Sequence, residues 1–163
     1  MKRNVSLAPR TDQVESARAL MANAQIQHIR LLQGSASHSP KQGSGTLRVD
    51  ISASPRGSLE HATELRVLTK YSAEARRSPN SAAVIAVEAT FELLYQIPAE
   101  LKPTKAEIRA FAHTNAMLNS FPYWREYVQS SVARMGLPPL VLPLFRIAPP
   151  AQRRTVARRK VAK

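Results

Sequence analysis

The sequence predicts an α+β fold: a four-stranded antiparallel sheet followed by a long helix. Three observations carry this. Apolar and polar side chains alternate with a period of two in successive segments, the links between those segments are short and rich in turn residues, and a strong helix-start signal appears after Pro103. Strands first and a helix afterwards is the α+β order, with the helix covering one sheet face or packing against another subunit.

Residues 1–24 form an N-terminal segment. Within it Thr11 to Ala24 is a fair helix former, with Thr11 or Asp12 as cap and Val14, Ala17, Ala19 and Leu20 apolar. The stretch is short and weakly amphipathic, so we expect it to order only against a partner surface.

The strands come next. Gln25 to Ser37 alternates imperfectly through Ile29 and Leu31, but its polar–apolar mixture and flanking turn residues favour a strand. Leu47, Val49, Ile51 and Ala53 alternate with Arg48, Asp50 and Ser52, which places the aliphatic set on one face. Leu65, Val67, Thr69 and Tyr71 repeat the pattern against Glu64, Arg66 and Lys70, with Leu68 as the exception. The clearest case runs from Ile85 through Val87, Ala89, Phe91, Leu93 and Tyr95 to Ile97. The links Ser37 to Gly45, Ser54 to His61 and Arg76 to Ser81 are too short for helical crossovers, so the sheet is expected to be an antiparallel meander.

Thr104-Lys105-Ala106-Glu107 has the form of a capping box, in which the threonine oxygen accepts from the third helical amide and the glutamate reaches back to the cap amide. The helix begun there uses Ile108, Phe111, Ala112 and Leu118 as its apolar face. A second stripe continues through Phe121, Trp124, Val128, Val132 and Met135 until Gly136 ends it. Pro122 either starts a second helix at its first turn or kinks one long helix. From Leu137 to Pro150 the chain cannot be regular helix, because Pro138, Pro139 and Pro143 lack amides and restrict their predecessors. It is extended and apolar.

Composition bounds the rest. A chain of 163 residues, 44% hydrophobic but only 6% aromatic, supports one domain with a modest aliphatic core, assigned to residues 25–146 and helped by oligomerisation. No cysteine is present, which excludes disulfides, thiolate nucleophiles and sulfur-based zinc sites. Lys2, Arg3 and Arg10 precede no apolar run of signal-peptide length, and no stretch is apolar enough to span a bilayer, so the cytoplasm is the expected location. Of the net charge of +13, Arg153, Arg154, Arg158, Arg159, Lys160 and Lys163 supply nearly half, with no acid among them. Residues 147–163 therefore read as a basic, disordered tail, or as a contact for RNA, DNA or anionic lipid.

Chemistry is not expected. His28, His38, His61 and His113 are scattered, with no i, i+4 pair and no acid at motif spacing. Neither a G-x-S-x-G elbow nor a glycine-rich phosphate cradle occurs, so no catalytic residue, metal or cofactor is assigned.

Asn119-Ser120-Phe121-Pro122-Tyr123-Trp124-Arg125-Glu126, followed by Gly136-Leu137-Pro138-Pro139-Leu140-Val141-Leu142, resembles the helix–loop region of SecB, the bacterial export chaperone. Ile26-Gln27-His28-Ile29 looks like that family's first strand. The likeness covers roughly Gln25 to Arg146. It implies a homotetramer arranged as a dimer of dimers, with helices sandwiched between sheets and unfolded or nascent polypeptides lying in outer apolar grooves. Exposed apolar surface and open strand edges suit a holdase that accepts many clients.

Three departures shape the expectation. Ile147 to Lys163 lacks the apolar stripe of the family's second helix, and His38 to Gly45 is short and lacks the aromatics of the corresponding family loop. The family docks onto SecA through carboxylates on the outer sheet face. The matching positions are Gln33, Ser37 and Glu88, and a single acid does not sum to an acidic patch. The sequence thus argues against SecA docking, and toxin–antitoxin systems or mobile elements are the alternative home.

Leu137, Leu140, Val141, Leu142, Leu144 and Phe145 are the candidate client-binding residues, some of which must anchor the loop to the sheet. Phe121, Tyr123, Trp124, Val128 and Val132 are assigned to helix packing or an oligomer interface. The competing function is nucleic-acid binding or tethering through Arg153, Arg154, Arg158, Arg159 and Lys160, which would weaken steeply with salt.

Overall fold

Period-two alternation in the sequence becomes four long strands in the computed structural model, which describes residues 3–5, 11–39 and 46–145, with residues 3–5 and 11 by backbone alone. The elements are β1 (Arg3–Val5), α1 (Thr11–Asn23), β2 (Gln25–His38), β3 (Arg48–His61), β4 (Glu64–Arg76) and β5 (Ile85–Gln96). A long helix comes last, composed of α2 (Lys105–Phe111), a π-helical turn (Ala112–Ala116) and α3 (Met117–Arg134).

The strand order is β1-β3-β4-β5-β2. All pairings among the four long strands are antiparallel, and β1 adds a short parallel strand against Val49, Asp50 and Ile51 of β3. The expected meander is therefore corrected: β3, β4 and β5 are consecutive neighbours, but β2 lies beside β5 instead of β3. A short link excludes a helical crossover without requiring adjacency. Crossing two intervening strands spans about 14 Å at ~4.8 Å per strand, well within the reach of the chain between His38 and Arg48 at ~3.3 Å per residue.

A second correction concerns Ser54 to His61, expected as a link. These residues continue β3, which pairs with β4 as far as His61 opposite Glu64. Pro55 lacks an amide, but among the described residues β3 has no neighbour on its outer side there, and an edge strand tolerates proline. Gly57 serves the packing. A Cβ at this position would come within 2.7 Å of Ile108 Cγ2, so the bare backbone lets α2 lie close on β3.

The helix starts as the capping box requires. Thr104 Oγ1 accepts from the Glu107 amide at 3.2 Å, and the Thr104 amide donates to the Glu107 carboxylate at 2.7 Å. Pro122 sits inside α3 and starts no second helix. The π turn accounts for Leu118, expected on the apolar face but 43% exposed. A π turn carries one residue more than an α turn and rotates the helix beyond it, so Met117 and Phe121 take the buried positions instead. The Thr114 hydroxyl donates to the Ala110 carbonyl at 2.8 Å, satisfying a group that the widened turn would leave short of partners.

The sheet face away from the helix carries one nearly buried acid. The Glu92 side chain is 3% exposed, and its carboxylate accepts from Arg30 and Arg66 at 2.6 Å each, with His28 Nε2 at 3.2 Å. Burial alone would raise its pKa, but hydrogen bonds from His28, Arg66 and Arg30 outweigh that and hold it at about 2.

Both the close helix approach and the buried acid can be tested. Gly57→Ala presses on a branched core side chain under the helix and should cost about 1–3 kcal/mol in urea unfolding. Gly34→Ala, whose Cβ would meet only the hydroxyl end of Tyr127, should cost less because that ring can swing aside. Equal costs would contradict this account. The folded state prefers ionised Glu92, so its contribution is complete above the unfolded pKa near 4.5 and disappears as pH falls toward about 2. The stability advantage of wild type over Glu92→Gln should therefore be constant at neutral pH and shrink below about pH 4.5; a pH-independent gap would refute the assignment.

Candidate functional site

The helix presents its buried stripe to the sheet through Phe121, Trp124, Val128 and Val132, each no more than 2% exposed. The Tyr71 ring stacks on Trp124 at 5.4 Å between centroids and meets Phe91 and Phe121 edge-on. Its hydroxyl lies 2.8 Å from Ser120 Oγ, and Ser120 in turn donates to the Ala116 carbonyl at 2.8 Å. With the serine proton committed there, the tyrosine is the donor between them. Tyr95 packs edge-on against Phe111 and accepts from Asn119 Nδ2 at 3.0 Å. Burial drives both phenols up, Tyr95 to about 12, so both stay neutral. Tyr123, assigned with Phe121 and Trp124 to helix packing or an oligomer interface, points outward and is 51% exposed.

At the end of α3 the backbone reverses at Gly136, whose φ of 73° suits glycine, and the Leu137 amide returns to the Val132 carbonyl at 3.4 Å. The chain then runs without regular secondary structure back beside the helix. Phe145 reaches the Phe121 ring at 5.6 Å between centroids.

The six candidate client residues divide. Leu142 is buried in the core, while Leu137, Leu140 and Phe145 are partly buried against it. Val141 and Leu144 face solvent, at 52% and 63% exposed. A side chain pinned on either side of an exposed neighbour makes a presented apolar surface, held in place but uncovered.

Sequence reasoning missed a further apolar surface on β2, an edge strand in which Ile26, Leu31 and Leu32 are each almost half exposed. The imperfect alternation of Gln25 to Ser37 was its signal, because the register shifts between Ile26 and His28 and between Leu31 and Gln33. Such bulges turn a strand and free its apolar side chains from one shared face.

Gln33 and Glu88 come together beside Lys70 in a shallow depression on the outer sheet face. The Glu88 carboxylate is paired with Lys70 Nζ at 3.1 Å, and Ser37 lies opposite Ala86. Arg153, Arg154, Arg158, Arg159 and Lys160 lie outside the described residues. Among the described residues no group of His, Asp and Glu could hold a metal ion, and no helix is long and apolar enough to cross a membrane.

No family model matches the chain. Over 145 residues it is 30% identical to the SecB-like chaperones Rv1957 and MT2006 of two Mycobacterium tuberculosis strains, covering 77% of this chain and 80% of each relative. The solved structure of Mycobacterium tuberculosis Rv1957, in complex with a ChAD peptide from the Rv1956 HigA1 antitoxin, superposes with a TM-score of 0.70. That match is 31% identical and covers 83% of this chain and 99% of the other. With the four-stranded antiparallel sheet, the long helix and this degree of identity together, the chain belongs to the family of SecB-like chaperones.

Proposed function

We propose that this chaperone holds non-native polypeptide segments on the surface presented by Leu137, Leu140, Val141, Leu142, Leu144 and Phe145, with antitoxin-type chains as clients. The observation that carries it is the exposure of Val141 and Leu144 on either side of buried Leu142. An apolar pair kept in water by its anchored neighbour has no folding role of its own, and burying it under a client returns that cost. The client class is read from the structural relative, which was solved with an antitoxin peptide.

The same reading makes the working form a homotetramer, a dimer of dimers in the cytoplasm. Support comes from the edge of β2, unpaired among the described residues, with exposed Ile26, Leu31 and Leu32, and from Leu118 and Tyr123 on the outward side of α3. Residues 25–146 act as the chaperone unit, to which α1 adds Ala17 and Leu20 in the core and β1 a short strand beside β3. Phe121, Trp124, Val128 and Val132 pack the helix, and Tyr123 is free for an interface. SecA docking is not part of the proposal, because Gln33 and Ser37 are uncharged and Glu88 is neutralised by Lys70.

Val141→Asp combined with Leu144→Asp is expected to weaken suppression of client aggregation by about tenfold to a hundredfold, because each half-exposed side chain stands to gain about half of the ~1.5–3 kcal/mol of full burial. The melting temperature should hardly move, because both side chains are exposed. Unchanged suppression would exclude this surface. Light scattering should give a mass about four times 18.0 kDa for the full chain, and a chain ending at Pro150 should likewise be tetrameric.

A further inference from the structure

Arginine, arginine and histidine line a cleft with no acid among its walls to answer them. Its volume is about 470 Å³, and it is walled by β3 from Ala53 to Gly57 and by Arg109 and His113 of the helix, with Arg56 at its rim. Among the described residues neither Arg56 nor Arg109 has an ion-pair partner. Elsewhere on the sheet cations are matched: Arg30 and Arg66 by Glu92, Lys70 by Glu88, Arg48 by Asp50 and Arg76 by Glu74. On the four long strands Arg56 is the cation without an ion pair among the described residues.

Its position adds a second observation. β1 pairs with β3 only from Val49 to Ile51, so among the described residues the outer edge of β3 is unpaired at the mouth of the cleft. An open strand edge offers backbone hydrogen bonds to an extended polypeptide. His113 belongs to the π turn, a local widening that brings its ring toward β3 and is frequent at functional sites.

We infer that this cleft binds a carboxylate carried by a client polypeptide lying along the stretch of β3 edge left unpaired among the described residues, and so biases the chaperone toward acidic segments. The inference rests on the holding function proposed above and names its preferred substrate class. The Arg109 guanidinium offers a fork-shaped donor matched to a carboxylate, Arg56 on the alternate face of β3 adds positive charge along the same edge, and an apolar strip elsewhere supplies affinity without regard to charge. His113 fits such a role: burial, then the charge of Arg109, holds its pKa below the ordinary value, so at neutral pH it adds a hydrogen-bonding group and no further repulsion.

The test uses the full chain and two labelled extended peptides of identical apolar sequence, one with a central Asp and the other with Asn, compared by fluorescence anisotropy. Wild type should bind the Asp peptide roughly tenfold more tightly, as a charge-assisted hydrogen bond would give. Arg109→Gln and Arg56→Gln should each erode that preference while leaving the Asn peptide unchanged, whereas Val141→Asp combined with Leu144→Asp should weaken both peptides. Binding of both peptides with no preference, or a preference that survives Arg109→Gln with Arg56→Gln, overturns the cleft assignment and leaves the holding function standing. Failure to bind either peptide overturns both. Displacement of the Asp peptide by a short single-stranded oligonucleotide, lost in Arg109→Gln, would reassign the cleft to phosphate and overturn the inference.

Discussion

The seating of the long helix on two buried tyrosines governs the rest of the molecule. Tyr71 and Tyr95 rise from adjacent strands on the same sheet face, and each carries a phenol hydroxyl into a largely apolar layer. A buried hydroxyl without a partner costs about 1–3 kcal/mol, which favours the seating that puts Ser120 and Asn119 where the phenols reach them. That requirement fixes both the rotation and the axial position of the helix, more narrowly than apolar contact could. The π turn is the adjustment. It lets the capping box set the start of the helix near β3, with Ile108 over Gly57, while Trp124 still lands on Tyr71 farther along. Because Gly136 marks the end of this helix, the path of the segment from Leu137 to Phe145 is set by it too.

Much of this was legible in local sequence. Alternation from Ile85 to Ile97 marked the central strand, Thr104 and Glu107 marked the helix start, and Gly136 its end, because each signal acts within a few residues. The features that were missed depend on distant partners. The place of β2 beside β5 is not encoded in any local pattern, since a short link permits several neighbours. Pro55 reads as a strand breaker until one knows that β3 is an edge. Leu118 sits on the apolar stripe of an ideal helix, and a sequence has no periodic sign of a turn widened by one residue.

The proposed client surface was half legible for a related reason. Prolines at 138, 139 and 143 ruled out a helix, and the apolar content identified the segment, but an irregular chain has no period that tells inward from outward side chains. Only its path along the helix, anchored by Phe145 on Phe121, separates Leu142 from Val141 and Leu144.

That separation explains how such a surface persists without collapsing. Fixing a residue costs about 1–2 kcal/mol of backbone entropy, and a fully buried Leu returns about 1.5–3. One buried leucine and three partly buried neighbours could barely hold a flexible segment of this length. Three prolines change the balance, because each has a preset φ and loses less freedom on ordering. Stiffness thus replaces burial as the source of order, and Val141 and Leu144 need not be buried for the segment to hold its path. A segment ordered by burial alone would have had to hide the side chains that the proposed holding function needs exposed.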